Sequence, residues 1–484
     1  MSAPGPVRAD VVVVGSGPNG LAAALRCAEA GREVVVLEAE DTVGGGCRTL
    51  PVDEPAWDGL VVDPCSAVHP MAAASPFFRS LDLRALGVDL VRPPVQLGHG
   101  LPGRDALVVD GDPDSLAAGL GSADEARRWR SVFGPLYRRW AEVTATALSD
   151  QRSVPPPSSV AALGLAAARV HPLPGRPDAL GPAGRTVFSG IASHAIGPLG
   201  SPAATGIGLV LGTLLHAPDG WPIPVGGSGA ITAALVRRIT ELGGTVRTGH
   251  RVGSVAGIEA RDVVFDTSSR VLGRVLLDSA PSPATARRAR RLCRAPVGGA
   301  ASRVDLVLSG PVPWADPRLA GAGTVHLGGD AAALAAAERE VSRGGHADRP
   351  VVLVSQPWVA DPGRVAPDGR RPLWTYAHVP AWSTRDSTAD VLDALERVAP
   401  GVRDVVVAAR ATPAARLPLH NANYTGGDIA AGRVDLAGLV ARPVPRLDPY
   451  RVAPGLWQAS ASTPPGPGVH GMAGEHVARR VLTP

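Results

Sequence analysis

The N-terminal hydrophobic pattern predicts a strand, a helix and a second strand in quick succession. The valine run at residues 10–14 predicts a buried strand, and the glycine-rich residues 15–20 predict a turn. Alanines and leucines at residues 21–30 predict a helix, and residues 34–38 predict a second buried strand. Such a βαβ unit is typical of nucleotide-binding α/β domains.

Glycine turns, helices and strands recur in two later segments. Residues 226–255 predict a glycine turn, a helix at 231–242 and a strand pair centred on 245–255, and another strand follows at 263–266. The C-terminal residues 455–482 predict a strand, a proline- and glycine-rich loop and a final helix. We therefore expect three separated pieces to form one cofactor domain.

The chain between these pieces mixes predicted helices, such as residues 126–147, with strand-like runs, such as residues 351–355. This mixture predicts an inserted α+β substrate domain at residues 76–220 and 300–445, and 484 residues are enough for two domains. The remaining residues form the predicted cofactor domain: 1–75, 221–299 and 446–484.

Arginine carries all of the formal positive charge, because the sequence contains no lysine. Its 48 arginines against 44 acidic residues give a net charge of +4. The densest arginine cluster lies in a predicted helix without interleaved aromatic residues and is expected to be a solvated face, so no nucleic-acid partner is predicted. This cluster comprises Arg287, Arg288, Arg290, Arg291 and Arg294.

The cysteines Cys27, Cys47, Cys65 and Cys293 show neither CxxC spacing nor zinc-ligand pairing with histidine, so no metal site is predicted. The sequence before the first strand lacks a signal-peptide pattern, and we expect a cytoplasmic protein. The uncharged residues 186–218 contain too short an apolar run to span a bilayer. They predict a buried or substrate-lining helix, with peripheral membrane contact as the alternative.

The strongest chemical signal is VVVVGSGPNGLAAAL, with Gly15, Gly17 and Gly20 in GxGxxG spacing between a strand and a helix. Gly15 allows the tight turn, Gly17 lets the backbone approach a pyrophosphate, and Gly20 allows the helix to pack closely on the strand. The helix N-terminus, with Pro18 and Asn19, offers free N–H groups and a positive dipole to the phosphates.

Glu38 ends the second predicted strand, where its carboxylate can accept both hydroxyls of an adenosine ribose. The GGGCRT segment that follows contains Gly45, Gly46, Cys47 and Arg48. It resembles the second glycine-rich motif of glutathione-reductase-type FAD domains, in which bare backbone lets the cofactor pass and an arginine meets its phosphates. We therefore expect FAD as the cofactor.

The C-terminal STPPGPGVHGM segment places a glycine turn before a helix. The N-terminus of that helix is expected to face the flavin pyrimidine ring, where its dipole stabilises the negative charge of reduced flavin. The candidates for this contact are Gly466, Gly468, Val469 and His470, and Ser462 in the same segment is a further candidate for cofactor binding. For His470, a capping or packing role is the alternative.

Over nearly its whole length the chain resembles the phytoene dehydrogenase-related flavoproteins, in particular the branch called pyridine nucleotide-disulphide oxidoreductase domain-containing protein 2-like. The segments that carry this resemblance are DVVVVGSGPNGLAAA, GGGCRT, DPCSAVHPMAAASPF, GWPIPVGGSGAI, NANYTGGDI and SASTPPGPGVHGM. The resemblance implies a Rossmann-like FAD domain, a strand at Arg251 and Val252 whose backbone contacts the adenine end, and an apolar, isoprenoid-like substrate. Cys47, Ser460 and Ala461 depart from the family pattern.

The candidate catalytic groups are His69, Tyr424, Asp428 and His470. His69 is flanked by small residues and suits a position near the flavin ring, with a histidine hydrogen-bonded in a loop as the alternative. Tyr424 and Asp428 belong to the polar NANYTGGDI segment, for which a turn held by Asx hydrogen bonds is the alternative.

Two strand-like runs also carry polar candidates. Trp374, Tyr376 and His378 share one strand face by the period of two, and they either line a substrate channel or pack in the core. Arg303 and Asp305 either point into a pocket or form a salt bridge at a sheet edge.

These features predict an FAD-dependent oxidoreductase in which a C–H of a small apolar substrate gives a hydride to flavin N5. Three alternatives remain: a flavin amine or amino-acid oxidase, against which the absence of lysine counts; a redox-neutral FAD-dependent isomerase; and a flavin-binding interaction protein without turnover. A disulphide reductase is excluded because no cysteine pair has redox spacing. The turn at residues 227–229 follows no buried strand, so no nicotinamide domain is expected.

Overall fold

A computed structural model describes residues 6–150, 156–171, 178–280, 282–435, 438, 442–443, 446 and 448–483. The strands are β1 (Val7–Val14), β2 (Val34–Leu37), β3 (Leu50–Pro51), β4 (Val61–Val62), β5 (Leu90–Val91), β6 (Val95–His99), β7 (Leu107–Val109), β8 (Ile223–Pro224), β9 (Thr245–Arg247), β10 (Ile258–Phe265), β11 (Ala300–Leu308), β12 (Ala322–Leu327), β13 (Val352–Ser355), β14 (Arg371–Val379), β15 (Val406–Thr412), β16 (Arg451–Ala453) and β17 (Leu456–Gln458). The helices are α1 (Pro18–Glu29), α2 (Pro70–Ala74), α3 (Pro76–Arg79), α4 (Leu116–Gly119), α5 (Ala123–Tyr137), α6 (Trp140–Ala147), α7 (Pro157–Val170), α8 (Gly181–Ala192), α9 (Pro202–Leu214), α10 (Gly229–Glu241), α11 (Ser269–Asp278), α12 (Pro283–Cys293), α13 (Ala331–Ser342), α14 (Thr388–Glu396), α15 (Val402–Val405) and α16 (Met472–Leu482).

The first sheet has six strands in the order β16-β17-β10-β1-β2-β9. The five strands from β17 to the edge strand β9 pair in parallel, and only the other edge strand, β16, is antiparallel to its neighbour. All six strands come from the three pieces that the sequence assigns to the cofactor domain. The predicted α/β fold with a Rossmann-like domain is therefore confirmed.

Alternate valines of β1 pack on opposite sides of this sheet. Val11 and Val13 belong to a core shared with α1, α10 and α16. Val12 and Val14 belong to a second core, shared with α11 and α12. Because helices cover both faces, the strand is buried on both sides, which explains its unbroken valine run.

The second sheet has seven strands in the order β15-β11-β14-β13-β12-β6-β7. Its pairs are antiparallel except for the parallel pair of β6 and β12. One face packs against α14 and α15, and the other packs against α8 and α13. Two short pairs, β3 with β4 and β5 with β8, complete the sheet structure of the described residues.

Two predicted elements differ from the structure. The predicted helix at residues 126–147 is divided into α5 and α6. Pro135 lacks an N–H and leaves the Ser131 carbonyl without its helical donor, and Arg169 Nη1 donates to that carbonyl at 2.8 Å instead. The predicted strand pair centred on residues 245–255 contains only β9, because Gly249 turns the backbone at a φ of +64°.

Among the helices of the described chain, none has the length and apolarity needed to cross a bilayer.

Candidate cofactor and substrate site

One cavity of about 960 Å³ extends from the first sheet to the second. Segments from all three pieces of the predicted cofactor domain form its wall at one end: residues 14–19, 37–40, 45–48, 65–71, 250–252, 266–268, 460–461, 465 and 467–469. The other end is formed by α7, α9 and strands β12, β13 and β14. A dinucleotide site and a substrate compartment can therefore share one continuous space.

The turn between β1 and α1 forms part of the first wall. Gly15 has a φ of +101°, and a Cβ on Gly20 would lie only 2.4 Å from the Gly15 carbonyl oxygen. Gly15, Gly17, Pro18 and Asn19 line the cavity, and Gly20 lies behind them where α1 packs on the strand. The turn therefore has the bare backbone and the close packing that its spacing predicts.

The carboxylate of Glu38 lines the cavity at the end of β2 and is held by local donors. Its Oε2 accepts hydrogen bonds from the Ser16 amide at 2.9 Å and from the Ser16 hydroxyl at 2.5 Å. Its Oε1 accepts from the Glu40 amide at 3.0 Å. Each carboxylate oxygen has lone pairs to spare, so the fixed group can still accept ribose hydroxyls.

The second glycine-rich segment lies against the first turn. A Cβ on Gly45 would approach the Cα of Gly17 to 3.2 Å, and a Cβ on Gly46 would lie 2.0 Å from the Tyr424 hydroxyl. Only glycine leaves room for both neighbours at these positions. Cys47 is fully buried, and its thiol donates to the Ser228 carbonyl at 3.2 Å, so it fills the place of a small residue.

Arg48 lines the cavity, but much of its guanidinium is bound by the protein itself. Nη2 donates to the His420 carbonyl at 2.7 Å, and Nε donates to the Gly45 carbonyl at 2.9 Å. Nη1 donates to the Thr42 hydroxyl at 3.2 Å. Nη2 also lies 3.1 Å from Nε2 of His420. These contacts fix the position of the positive charge at the cavity wall, and the second N–H of Nη1 is available to a phosphate.

Asp266 is a residue of this wall that sequence reasoning missed as a site residue. It follows β10 directly, and its Oδ2 accepts a hydrogen bond from the Gly20 amide at 2.8 Å. Burial, together with the nearby Glu38 carboxylate, raises the pKa of Asp266 to about 7. An aspartate directly after the VVF strand end was the available signal, because parallel strands of this fold end at the nucleotide.

The C-terminal loop brings Gly468 and Val469 to the cavity wall next to the start of α16. Asn19 joins this helix to the first turn, because its Oδ1 accepts a hydrogen bond from the Ala473 amide at 3.2 Å. The N-termini of α1 and α16 are thus held side by side. The positive ends of both helix dipoles therefore lie at this end of the cavity.

Three predicted residues of this loop, Ser462, Gly466 and His470, do not line the cavity. His470 is fully buried, its Nε2 lies 3.1 Å from the Gly466 carbonyl, and its Nδ1 accepts from the Met472 amide at 3.0 Å. These contacts match the capping alternative and correct the catalytic and cofactor-binding assignments, because neither ring nitrogen reaches the cavity. The Ser462 hydroxyl donates to the Ala431 carbonyl at 2.7 Å and is likewise used inside the protein.

The segment at Arg251 and Val252 lines the cavity but is a loop and not the strand that the family resemblance implies. His250 donates its amide to the Glu38 carbonyl at 2.7 Å, which places the loop beside β2. The Arg251 guanidinium lies 3.3 Å from the Glu40 carboxylate. The segment therefore borders the site next to Glu38 without joining the first sheet.

His69 lines the cavity, and its protonation state follows from its partners. Its Nε2 lies 2.7 Å from the Ser228 hydroxyl oxygen, and that hydroxyl donates to the Ser66 carbonyl. Nε2 must therefore carry the proton, which leaves Nδ1 as an acceptor. Burial lowers the pKa of His69 to about 4, so the ring is neutral near neutral pH.

Tyr424 and Asp428, the other two catalytic candidates, have different surroundings. Tyr424 lines the cavity, and burial raises the pKa of its hydroxyl, which lies beside Cys65. Asp428 does not line the cavity, because its carboxylate accepts from the amides of Gly298, Ala430 and Gly432 at 2.7 to 2.9 Å. This is the Asx-turn alternative, and it corrects the catalytic assignment of Asp428.

The far end of the cavity is mostly apolar. Helix α9 contributes Ile207, Val210 and Leu211, and α7 contributes Leu163 and Ala167. This agrees with the expectation that the uncharged residues 186–218 include a substrate-lining helix. The charged residues that line the cavity all lie at the cofactor end, within the described chain: Glu38, Glu40, Arg48, Arg251 and Asp266.

Trp374, Tyr376 and His378 share one face of β14, as the period of two predicts. Trp374 and Tyr376 line the cavity, whereas His378 lies behind them, paired with the buried Glu338 of α13. Arg303 and Asp305 pair with each other on β11. Because β11 lies between β14 and β15, the pair is in the sheet interior, and the expected sheet-edge position is wrong.

Comparison with known proteins agrees with this geometry. The family model described as "NAD(P)-binding Rossmann-like domain" matches residues 13–81. A ferredoxin–NADP reductase of Paraburkholderia phytofirmans is 39% identical over 64 residues, 13% of this chain and 18% of that protein. A hydroxyneurosporene desaturase of Cereibacter sphaeroides is 61% identical over 41 residues, 8% of each chain. The chain thus spans less than a fifth of the length of these relatives.

Solved structures match over almost the whole chain. Putrescine oxidase in complex with putrescine has a TM-score of 0.58 at 18% identity, with 98% of this chain and 99% of that chain covered. Cyclohexylamine oxidase from Brevibacterium oxydans has a TM-score of 0.55 at 14% identity, with 98% and 99% covered. Both neighbours are FAD-dependent oxidoreductases, which is the class that the sequence predicts for this chain. The chain has the fold of the FAD-dependent oxidoreductases, built on a Rossmann-like nucleotide-binding domain.

Proposed function

We propose that the protein binds FAD and acts as a dehydrogenase or desaturase on a C–H bond of an apolar, isoprenoid-like substrate. The observation that carries this proposal is the division of the single cavity. Its charged lining residues lie at the dinucleotide end, and its other end is walled by α7, α9 and the second sheet. A long polar cofactor and an apolar substrate then occupy complementary parts of one space.

The residues at the dinucleotide end fit FAD. Bare backbone at Gly17 and Gly45 allows a pyrophosphate to approach, and the Glu38 carboxylate is fixed where it can accept ribose hydroxyls. The N-termini of α1 and α16 supply the positive ends of two helix dipoles. Bound FAD supplies hydride acceptance at flavin N5.

The chain's own contribution at the substrate end is to hold an apolar molecule and to exclude water. Ile207, Val210 and Leu211 of α9 form one side of this compartment, opposite Trp374 and Tyr376 of the second sheet. A substrate placed between them lies against preorganised apolar surface, which limits its motion relative to the cofactor. The proposed apolar substrate is also consistent with the desaturase among the sequence relatives.

An ammonium or carboxylate substrate fits less well. No ionised partner lines the substrate end within the described chain, and burial of an unpaired charge costs several kcal/mol, on the order of 3–5. The amine-oxidase structures share the fold at less than a fifth of identical residues, and that likeness carries no substrate to this chain. We therefore rank an amine or amino-acid oxidase below the proposed activity.

The test is purification followed by spectroscopy. The protein is expected to carry a flavin absorption spectrum and to lose its yellow colour anaerobically with an apolar alkene or alcohol. Bleaching by amines only, product isomerisation without net bleaching, or bound flavin that no substrate reduces would each select one of the three alternatives. A folded protein that stays colourless with added FAD would overturn the proposal.

A further inference from the structure

Three imidazoles, two of them fully buried and one half-buried, form a row next to the substrate end of the cavity. His194 lines the cavity, and its Nε2 lies 3.2 Å from Nε2 of His326 on β12. His326 is directly paired in register with His99 on β6, and both side chains are fully buried. The Nε2 of His99 in turn lies 2.7 Å from the Gly329 carbonyl oxygen.

The partners of the row determine where its protons lie. A carbonyl only accepts, so His99 carries its proton on Nε2 and leaves Nδ1 as a lone pair. The Nδ1 atoms of His99 and His326 flank Gly190 of α8, 3.0 and 2.6 Å from the position of a Cβ there, and neither has a protein partner. The contact between Nε2 of His326 and Nε2 of His194 needs one donor and one acceptor, and His326 is the acceptor in the tautomer that carries its proton on Nδ1.

The tautomer of His326 decides what His194 offers to a ligand in the cavity. With its proton on Nδ1, His326 accepts at Nε2, and His194 must donate from its own Nε2. The Nδ1 of His194 is then an unprotonated acceptor for a ligand. The ring is held from the side by Trp221, which lies edge-on at 5.7 Å.

All three rings are neutral near neutral pH. Burial lowers the pKa of His99 to about 4 and that of His194 to about 3, and burial with the neighbouring imidazoles lowers the pKa of His326. His194 therefore accepts a hydrogen bond without becoming charged. The row does not hold a metal, because no group of histidines, cysteines and carboxylates among the described residues has that arrangement.

Neutral polar groups lie beside the row on the second sheet. Thr324, Ser355 and Trp374 line the cavity in one register row across β12, β13 and β14. Their polar atoms Oγ1, Oγ and Nε1 are buried, and each has no hydrogen-bond partner in the part of the chain that the structure describes. Buried polar atoms are rarely left unpaired, so this end of the compartment is suited to a ligand with an uncharged polar group.

We infer that His194 is a specificity-determining residue that accepts a hydrogen bond from the hydroxyl of an otherwise apolar substrate, and that His326 is the positioning residue that keeps its Nδ1 unprotonated. The substrate class is then an apolar alcohol, not a pure hydrocarbon. This inference deepens the proposed function and rests on it only for the reaction, because binding of the alcohol is measured separately.

The experiment compares two matched probes, geraniol and geranyl methyl ether, which differ in the O–H donor. Anaerobic calorimetric titration of the protein with its flavin already reduced, so that no hydride can be transferred, is expected to show geraniol binding about three- to tenfold more tightly, as one hydrogen bond provides. His194→Phe is expected to bring this ratio to about one, with ether affinity changed by less than about twofold. The matched control is His216→Phe, since His216 is a buried histidine that contacts Trp129 outside the cavity.

The positioning role of His326 has its own readout. In protein with 15N-labelled histidine, the signal of an unprotonated Nδ1, assigned through its loss in His194→Phe, is expected to shift toward the protonated position in His326→Leu. The geraniol-to-ether ratio is expected to fall in the same variant. A merely structural role of His326 would lower stability and leave both readouts unchanged.

The inference fails if wild-type protein binds both probes equally, if His194→Phe keeps the wild-type ratio, or if geranylamine binds more tightly than geraniol. These outcomes are independent of the proposed function. If the protein contains no flavin, the proposed oxidoreductase activity fails, and the ratio measured on the same cavity still decides the role of His194.

Discussion

The Oδ2 atom of Asp266 lies 2.8 Å from the amide nitrogen of Gly20, although the two residues are 246 positions apart in the chain. This contact places a buried carboxyl group at the N-terminus of α1, where the turn presents amides to the cofactor phosphates. A Cβ on Gly17 would lie 2.5 Å from the same oxygen, so Gly17 also makes room for the carboxyl group. A phosphate bound at this turn would lie close to the same dipole as Asp266, and the charge of Asp266 would then affect cofactor binding.

Asp266→Asn is expected to reduce the pH dependence of FAD binding. The pKa of Asp266 is raised to about 7 by burial and by Glu38, so the wild-type group ionises near neutral pH and then repels the phosphates. Wild-type FAD affinity should therefore fall between about pH 6 and about pH 8, while the Asn variant changes less. Fluorescence titration of apoprotein with FAD measures both profiles. The exposed Asp278→Asn is the control, and parallel profiles for Asp266→Asn and wild type would contradict the expectation.

The same substitution is expected to change how stability depends on pH. The folded-state pKa of Asp266, about 7, lies above the ordinary aspartate value of 3.8, so the folded state binds the proton more tightly than the unfolded state. This group therefore makes stability fall as pH rises from about 4 to about 7. Asp266→Asn should gain on wild type across that range by up to a few kcal/mol, on the order of 1.4 per pKa unit. Urea unfolding of apoprotein at both pH values measures the difference, and an unchanged difference would show that the carboxyl is not shifted.

How far the sequence predicts this site depends on the sequence separation of its parts. The turn from Gly15 to Gly20 and the carboxylate of Glu38 belong to one local βαβ unit, whose order and hydrophobic period are visible in the sequence. Asp266 reaches Gly20 only because β10 pairs with β1, and the sequence does not show that pairing.

The imidazole row could not be predicted for the same reason. His99, His194 and His326 come from β6, the turn after α8, and β12, and strand register alone places two of them side by side. For His470 the error is in the other direction, because the sequence predicts a site residue that the structure does not show. A histidine in a glycine-rich loop resembles a site residue, but the ring of His470 bonds the loop's own backbone. Local patterns thus indicate which groups occur, and long-range pairing decides which of them meet.

Glu38→Arg is expected to lower FAD occupancy strongly. The substitution removes the acceptor for ribose hydroxyls and releases the Ser16 amide that Glu38 now holds. Loss of hydrogen bonds to a charged acceptor should weaken FAD binding by more than about tenfold. The ratio of flavin absorbance to protein absorbance after purification measures occupancy. Glu33→Arg, at an exposed position just before β2, is the matched control, and equal occupancy in all three proteins would exclude the ribose role of Glu38.

Gly206→Leu is expected to block the substrate compartment and to leave the cofactor site intact. Gly206 lies on α9 and lines the cavity, and a Cβ there meets no atom within 4 Å, so a leucine side chain extends into open space. Geraniol affinity should fall by at least about tenfold, because the added side chain occupies the volume of the ligand. Gly206→Ala is the control for helix propensity and should bind almost as wild type. If Gly206→Leu binds geraniol normally with unchanged flavin content, the substrate lies elsewhere.

Arg364→Leu is expected to destabilise the protein, because it leaves a buried carboxylate without its cation. Arg364 Nη1 lies 2.9 Å from Asp63 Oδ2, and the exposed fractions of the two side chains are 3% and 2%. Removal of one partner of such a pair costs about 3–5 kcal/mol. Asp63 also accepts hydrogen bonds from the Thr49 hydroxyl and the Ser228 amide, so its displacement should disturb the second glycine-rich segment and lower flavin content as well.

Chemical unfolding of holoprotein and apoprotein measures this cost. Arg8→Leu is the matched control, because Arg8 pairs with Glu259 at exposed positions and such a pair contributes about 0–1 kcal/mol. Combining Arg364→Leu with Asp63→Asn should restore part of the lost stability, since the unpaired buried charge is then absent. If Arg364→Leu is no less stable than Arg8→Leu, or if the double variant is less stable than Arg364→Leu, the destabilisation does not come from an uncompensated Asp63 charge.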